Sequence, residues 1–482
     1  MRLKHISNFI GILLFFLGIS MAAPLAVSLF YEDGSAKSLL YSMIITSMAG
    51  LLLFICTRGH GDTPLNHRDG VAIVTFGWIA AGLFGTLPFL FSGSIPDFTN
   101  AYFESISGFT TTGASILAEI ESLPEGILLW RSQTQWLGGM GIIVLSIAIL
   151  PFLGVGGMQL YKAEIPSPVV DKLKPRISDT AKTLWKVYLL ITALEVIFLY
   201  GGGMSFFEAV CHAFCTMPTG GFSPKNISIA HYNSAYFDTV IIFFMLLAGI
   251  NFSLHYKLIK GDFTIFGRDP ECRLFLLLIG LFTVAVGLNI YGAVYDSLAR
   301  AIRYAAFQVS SIITTTGFAT ADYGRWPSFS QKILLLCMFL GAMAGSTGGG
   351  IKIMRIMLLA KHCYREIFRI IHPHAITSVK LGGRPVPADI LNSVWGFFIL
   401  FLGLFIAASL IMAYMGLDMI TAFSSVAASI GNIGPGLGLV GPAKNYLTIP
   451  LTGKWVLIFC MLLGRLEIYT VIVLLMPEYW RK

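Results

Sequence analysis

Long apolar runs separated by short polar segments repeat along the whole chain. Ten such runs hold between 18 and 28 residues each. A hydrocarbon core about 30 Å thick takes about 20 helical residues to cross, so each run is long enough to be a transmembrane helix. The ten predicted spans are residues 8–31, 39–56, 70–91, 133–153, 181–200, 237–254, 274–291, 333–360, 391–415 and 455–476.

Four shorter amphipathic stretches of 13 to 16 residues lie between these runs. As helices they rise only about 20–24 Å, which is too little to cross the core. We expect each to enter the membrane part-way and return, as backbone does at membrane depth only where it is buried in protein or lines a watery cavity. These predicted pore helices are residues 97–109, 205–217, 297–312 and 418–430.

A glycine-centred polar string follows each short stretch: "TTTGAS", "MPTGGFS", "ITTTGFAT" and "GNIGPGLG". Aligned on Gly113, Gly220, Gly317 and Gly434, the strings are 107, 97 and 117 residues apart. Such regular spacing indicates internal duplication. We predict an all-α polytopic membrane protein with two N-terminal transmembrane helices and four pseudo-fourfold helix–pore-helix–helix repeats. The corresponding domains are residues 1–68, 69–158, 159–258, 259–362 and 363–482.

The first apolar run admits two interpretations, a cleaved secretory signal or a retained anchor. Arg2 and Lys4 precede it, and "SMAA" offers small residues for cleavage. Its 24 residues exceed the usual signal core of about 7–15 residues. We therefore expect an uncleaved anchor.

Composition and charge predict how the chain is oriented in the membrane. Hydrophobic residues make up 56% of the 482 residues and charged residues 12%, about half the charged fraction of soluble domains. With a cytoplasmic N-terminus, 22 Lys and Arg residues fall on the cytoplasmic side and nine on the other, as the positive-inside rule requires. We expect both termini in the cytoplasm. The asymmetry also explains the net charge of +8 without nucleic-acid binding.

The strings have the chemistry of a cation pore. Backbone that turns back at membrane depth can present carbonyl oxygens to a dehydrated cation. Glycine permits such a bend and a close approach of chains, and threonine adds a small hydroxyl group. A single string would be weak evidence, because small residues also pack helices. Four strings at matched spacing favour a ring of oxygens suited to a potassium-sized cation.

Six motifs spread over essentially the whole chain carry a family resemblance: "ESISGFTTTGAS", "QWLGGMGIIVL", "GGMQLYKAE", "AGSTGGGIKIMRI", "GNIGPGLG" and "GRLEIYTVIVLL". With them the chain resembles the superfamily of Trk-type and Ktr-type potassium transporters, most of all the bacterial Trk membrane subunits. The resemblance implies a homodimer that takes up potassium across the bacterial inner membrane. It also implies a cytoplasmic TrkA-type ring, with NAD or ATP bound by that partner and not by this chain.

The resemblance further implies a potassium-binding filter with three residues from each string. The second string departs from the threonine-rich pattern at Pro218, which we align with Thr111, Thr315 and Asn432. The residues after the four aligned glycines are Ala114, Gly221, Phe318 and Pro435, so the two-glycine signature of tetrameric potassium channels is not kept. We therefore expect weaker discrimination between potassium and sodium than in such channels. The implied filter residues are Thr111, Thr112, Gly113, Thr219, Gly220, Gly221, Thr315, Thr316, Gly317, Asn432, Ile433 and Gly434.

A gate is expected below the filter, in the second span of the third repeat. Residues 341–350 hold five glycines and two hydroxyl residues, and each interior glycine costs a helix about 1 kcal/mol. Local unwinding, and hence a gate, is one interpretation; a close helix crossing through small residues is the other. The expected gate residues are Gly345, Ser346, Thr347, Gly348, Gly349 and Gly350, together with Arg465.

Arg465 lies within the last predicted span, where a cation is costly unless it faces water or a partner. A structural pair with Glu467 or with a neighbouring carbonyl is the alternative, yet residues two apart on a helix face different ways, which makes Glu467 a poor direct partner. In the superfamily, an arginine at a matching position points into the pore. We expect Arg465 to be an electrostatic barrier to cations.

Four further features keep two readings each. Glu104 and Glu208 either enrich cations at the outer mouth or are ordinary helix acids. Residues 160–180 and 361–384, rich in Lys, Arg and Pro, either dock a soluble partner or are plain positive-inside loops.

Coupling of potassium to protons or sodium is the alternative to a gated channel. A coupled carrier usually places ionisable groups at the midplane, and the spans offer few besides Arg465 and Glu467, so channel-like permeation is favoured. A membrane-embedded enzyme or scaffold would need a cluster of His, Asp, Glu or Cys at facing membrane depths, and the seven cysteines form no CxxC pattern. We expect no enzymatic activity.

Overall fold

The N-terminal helices form one long apolar pair. The computed structural model describes residues 3–58, 67–148, 177–375 and 377–480. Helices α1 (Leu3–Ser20) and α2 (Ala22–Tyr31) are separated only at Met21. Helix α3 (Ala36–Cys56) packs along α1. The backbones approach closely because a Cβ on Gly50 would lie 2.4 Å from Phe15 N, the pattern of small residues expected between membrane helices.

Four units of similar design follow. The first helices are α4 (His67–Gly85) with α5 (Leu87–Phe91), α8 (Ile177–Gly201), α13 (Pro270–Ile290) and α17 (Ala388–Tyr414). The short pore helices are α6 (Phe98–Phe109), α9 (Phe206–Thr216), α14 (Leu298–Ile313) and α18 (Met419–Ile430). The second helices are α7 (Glu125–Ala148), α10 (Ala235–Gly249) with α11 (Phe252–Ile259), α15 (Ser328–Leu340) with α16 (Ile353–Ile371), and α19 (Leu451–Arg465) with α20 (Ile468–Leu475).

The helical class expected from the sequence is confirmed, with one small addition. Strands β1 (Lys380–Leu381) and β2 (Arg384–Pro385) form an antiparallel hairpin after α16. The remaining short helices are α12 (Ile265–Arg268), α21 (Pro477–Trp480) and the 3₁₀ turns Ser228–Tyr232, Tyr323–Arg325 and Gly438–Val440.

Six described helical segments are long and apolar enough to cross a membrane, and eight if each bent pair counts as one span. The bends are 103° between α10 and α11 and 118° between α19 and α20. The two other expected spans correspond to α7, described as far as Ala148, and to α15 and α16 with the segment between them. The expected domain boundary at residues 158/159 lies outside the described residues.

The pore helices are short, as the sequence predicts. They hold 12, 11, 16 and 12 residues and so rise about 17–24 Å. Three of them begin at a side chain that accepts a hydrogen bond from a backbone N–H three residues on, which is ordinary N-capping. These caps are Asp97, Ser205 and Asp418.

Helix packing arranges the four units in a ring. Each pore helix packs against the second helix of the unit before it: α9 on α7, α14 on α10, and α18 on α15. The ring closes because α6, in the first unit, packs on α19, in the last. Below, the upper side is the side at which α7, α10, α15 and α19 begin.

A loop on the upper side fastens the N-terminal pair to this ring. Asp33, between α2 and α3, accepts hydrogen bonds from Gly126 N at the start of α7 (2.7 Å) and from Ser35 N (2.9 Å). Burial raises the pKa of Asp33, but these bonds and one from Ser28 outweigh it and hold that pKa below its usual value. The charged carboxylate therefore ties the two parts together at neutral pH.

Candidate functional site

The four strings repeat one backbone conformation. Positive φ angles recur at two positions in each string, first at Thr111, Thr219, Thr315 and Asn432 (51° to 61°) and then at Gly113, Gly221, Gly317 and Gly434 (76° to 96°). The residue before each of these glycines donates its N–H to a carbonyl five residues back, at 2.8 or 2.9 Å. These four glycines are called the string glycines below.

This backbone corrects the expected alignment of the second string by one residue. Gly221, and not Gly220, has the positive φ of a string glycine. Pro218 therefore does not correspond to Thr111, as the sequence alignment had it. It occupies the position of Thr110, Thr314 and Gly431.

The strings meet one another edge to edge around a common axis. A Cβ on a string glycine would lie 1.9 to 2.7 Å from a carbonyl oxygen of the next string, closer than any side chain can approach. The contacts run in a closed cycle: Gly113 to Gly220 O (2.1 Å), Gly221 to Thr316 O (1.9 Å), Gly317 to Ile433 O (2.0 Å) and Gly434 to Thr112 O (2.7 Å). All twelve residues expected in a filter thus lie in one ring.

Side chains from neighbouring elements brace the ring. Gln135 on α7 donates to Gly220 O (2.7 Å) and accepts from Phe222 N (3.1 Å), so the first unit holds the second string. Tyr446 Oη donates to Gly434 O (2.6 Å). Asn432 Nδ2 donates to Thr112 Oγ1 (2.9 Å) and joins the fourth string to the first. A carbonyl oxygen has two lone pairs, so a braced carbonyl keeps one acceptor site.

Glu104 lies behind the first string and not at an aqueous mouth. It is fully buried, and its carboxylate pairs with Arg131 Nε at 2.7 Å and accepts from Ile116 N at 2.9 Å. Arg131 also donates to Ser223 O (3.0 Å) in the second unit. Of the two expectations for Glu104, the structure shows the hydrogen-bonded helix acid.

The second helix of the third unit is interrupted, as its glycines predict. Residues 341–352, called the glycine-rich loop below, form no helix between α15 and α16. Gly341, Gly345 and Gly350 have φ angles of 73° to 74°, a conformation that suits glycine. The loop holds all six of the loop residues expected in a gate.

The glycine-rich loop lies directly beneath the ring, on the side opposite the upper side. Thr347 Oγ1 donates to Met217 O (2.9 Å), the first residue of the second string. Gly349 N donates to Thr315 Oγ1 (2.7 Å) in the third string. A Cβ on Gly349 would lie 2.3 Å from Gly431 O in the fourth string. The loop therefore contacts three of the four units.

Arg465 completes the contact with the first unit. Its Nη1 donates to Thr347 O (2.6 Å) and its Nη2 to Gly138 O on α7 (3.4 Å). The side chain is buried, with 4% of its surface exposed. Glu467 does not pair with Arg465 but with Arg355 on α16, at 2.7 Å. This agrees with the expectation that residues two apart on a helix face different ways. Loop and Arg465 together touch all four units under the ring.

Sequence reasoning missed the residue that holds the loop at both ends. Glu271, in the first turn of α13, accepts at Oε1 from Ala344 N (2.8 Å) and from Met354 N (3.1 Å). It is fully buried. The available signal was an acid in the first turn of an apolar span, but nothing in the sequence places it beside residues about 80 positions away.

The two expected docking segments are described in part. Residues 160–176 lie outside the described residues. The second segment forms the end of α16 and the hairpin, where Tyr364 and Ile370 are strongly exposed. Glu208, the other acid in question, is partly exposed and pairs with Lys225 at 2.8 Å.

Comparison with known proteins gives full-length matches. A family model described as "TrkH: Cation transport protein" matches residues 35–482. The Trk system potassium uptake protein TrkH of Escherichia coli K12 is 44% identical, and that of Salmonella typhimurium 43%, with 100% of each chain covered. The crystal structure of the potassium transporter TrkH from Vibrio parahaemolyticus superposes with a TM-score of 0.92 at 38% identity, again covering 100% of both chains.

Proposed function

The chain belongs to the TrkH family of cation transport proteins, and we propose that it carries potassium into the cell through the ring of four strings. The observation that supports this most directly is the closed cycle of contacts between string glycines and carbonyl oxygens of adjacent strings. The relatives' names as potassium uptake proteins give the ion. Potassium is the substrate, and no covalent chemistry takes place.

The strings form the selectivity filter. Potassium binds to backbone carbonyl oxygens and hydroxyl groups of residues 111–113, 219–221, 315–317 and 432–434, which replace its water shell. Each pore helix ends at its string and directs its negative end toward the ion. Each of the four repeats, residues 69–158, 159–258, 259–362 and 363–482, supplies one string.

The glycine-rich loop and Arg465 form the gate, and the described conformation is closed. Support comes from the contacts of Thr347, Gly349 and Arg465 with all four units beneath the ring. A guanidinium below the filter repels a cation that has lost its water. Opening requires the loop carbonyl of Thr347 and Arg465 to separate.

Permeation is channel-like and driven by the membrane potential. Glu104 and Glu271, two of the buried acids near the pore, each have at least one carboxylate oxygen that is held by an ion pair or by backbone N–H groups. Such groups are poorly placed to bind and release a coupling proton.

The protein resides in the bacterial inner membrane with both termini in the cytoplasm, so the upper side faces outward. It works as a homodimer together with a cytoplasmic TrkA-type nucleotide-binding ring, and that partner binds NAD or ATP. The exposed end of α16 belongs to the cytoplasmic face, where such a ring would dock.

Rubidium flux into sealed liposomes that contain the purified chain tests the proposal. We expect uptake that unlabelled potassium competes away and that Gly113→Ser abolishes, because a Cβ there would meet Gly220 O at 2.1 Å. Lys37→Gln, on an exposed side chain of α3, is the matched control and should keep full uptake. Uptake that survives in folded Gly113→Ser would refute the pore.

A further inference from the structure

The upper side of the ring opens into a cavity of about 200 Å³. All four string glycines line it, so an ion that enters or leaves the ring on this side passes through it. No Asp or Glu side chain is among its described lining residues, in contrast to the rings of Asp or Glu that line cation channels. Its charged lining residues are Arg131, Lys225 and Lys444.

Two of these three positively charged side chains pair with a carboxylate. Arg131 pairs with buried Glu104 at 2.7 Å, and Lys225 pairs with Glu208 at 2.8 Å. Lys444 is exposed, and no ion pair joins it to another residue in the part of the chain that the structure describes. The cavity therefore carries one uncompensated positive charge, on Lys444.

The backbone around Lys444 is firmly held beside the ring. Lys444 N donates to Gly441 O (2.9 Å). Two residues on, Tyr446 N donates to Ser115 O (2.8 Å), the last residue of the first string, and Tyr446 Oη donates to Gly434 O (2.6 Å) in the fourth. The segment thus bridges the first and fourth strings and keeps the Lys444 backbone at the mouth of the ring.

We propose that Lys444 limits the entry of cations from dilute solution by lowering their concentration in the upper cavity. The inference rests on the proposed potassium pore and identifies a residue that sets its apparent affinity. A unit charge about 10 Å from an ion in water changes the local ion concentration about twofold at low salt. The Debye length falls from about 30 Å at 0.01 M salt to about 3 Å at 1 M, so the effect disappears in strong salt.

The charge acts on entry and not on passage through the ring. Neutralising Lys444 therefore lowers the rubidium concentration at half-maximal uptake and leaves the maximal rate unchanged. The size of the change follows the charge: about twofold for Lys444→Gln and about fourfold for Lys444→Glu, which removes one charge and adds another. Lys444→Arg keeps the charge and should match the native chain.

The experiment is rubidium uptake by the full chain in liposomes, with ionic strength set by an impermeant organic salt at about 0.01 M and about 1 M. The expected order of half-saturating concentrations in dilute salt is native and Lys444→Arg highest, Lys444→Gln lower and Lys444→Glu lowest. The four curves should coincide in strong salt. Lys37→Gln, on the same side but outside the cavity, should follow the native curve throughout.

Several results would overturn the inference. Superimposed curves in dilute salt would show that the Lys444 charge does not reach the ion path. A change that persists in strong salt, or that Lys444→Arg shares, would point to altered loop structure. A native chain that carries no rubidium even after the cytoplasmic partner is added would refute the proposed pore itself, and this inference with it.

Discussion

The string glycines leave no space for a β-carbon. At Gly221 a Cβ would lie 1.9 Å from Thr316 O, and the φ of 76° is unfavourable for any other residue. The two effects can be separated, because Gly93 has a similar φ of 73° but nothing within 4 Å of its missing side chain. Strain alone costs about 1–2 kcal/mol, whereas the clash at Gly221 must displace a carbonyl of the ring.

We expect Gly221→Ala to reduce rubidium uptake at least about tenfold, which corresponds to about 1.4 kcal/mol, since the Cβ must displace a carbonyl of the ring. Gly93→Ala should keep the native uptake and lose only thermal stability. Uptake and melting temperature are measured on both purified variants. Equal uptake by the two would mean that the ring tolerates a side chain at Gly221.

The ring's residues could be predicted from the sequence, but its register could not be fixed. "PTGG" offers two adjacent glycines, and pattern alone cannot say which of them takes the positive φ. The answer depends on the hydrogen bond from Gly220 N to Cys215 O and on Thr316 O of another unit. The partners of Glu104 and of Glu271 depend in the same way on contacts between distant parts of the chain.

Arg465 places a positive charge directly under the ring. Removing it in Arg465→Ala takes away both the repulsion of a cation and the hydrogen bond to Thr347 O. Two charges 4 Å apart repel by about 1 kcal/mol even in water, so we expect basal rubidium uptake to rise about fivefold or more. Arg325→Ala, at an exposed side chain on the upper side, is the control. Unchanged or lower uptake by well-folded Arg465→Ala would contradict the barrier.

At the scale of elements, two hydrogen bonds to Glu271 hold the glycine-rich loop in place. Glu271 Oε1 receives N–H groups from Ala344 and Met354, one on each side of the loop's centre. The loop has no helix to hold its own backbone, so these bonds fix its path. Each buried N–H left without an acceptor costs about 1–3 kcal/mol.

Glu271→Ala removes the acceptor for both N–H groups and should release the loop. We expect higher basal uptake together with a lower melting temperature. Glu271→Gln keeps a carbonyl oxygen at the same position, so its uptake should stay near the native rate. If Glu271→Gln behaved like Glu271→Ala, the carboxylate charge and not the shared acceptor would position the loop.

The elements themselves follow from elementary physics to differing degrees. Apolar length predicted the spans, and the cost of clustered glycines predicted the break after Leu340. The bend of 118° after α19 was not predicted. The single glycine in "GRLEIY" is too little to predict a break, and the bend coincides with the pairing of Glu467 with Arg355 on another unit. Tertiary contacts override local preference there.

At the scale of the whole molecule, the four contacts between adjacent strings of the ring are similar but not equal. On three string glycines, an added Cβ would lie 2.1 Å or less from the carbonyl oxygen of the next string. On Gly434, an added Cβ would lie 2.7 Å from Thr112 O. The fourth string also carries Asn432 where the others carry threonine. The junction between the last and first units is therefore the loosest and chemically the most different.

A ring of unequal strings should discriminate less sharply between dehydrated ions of different size than a ring of four identical strings does. We expect rubidium to be preferred over sodium by less than about a hundredfold, which corresponds to about 2.7 kcal/mol. Competition of sodium against labelled rubidium uptake measures the ratio, with Gly113→Ser liposomes as the background for leakage. Asn432→Thr, which makes the fourth string more like the others, should raise the ratio. A native ratio well above a hundredfold would contradict this expectation and show that unequal strings can still select sharply for ion size.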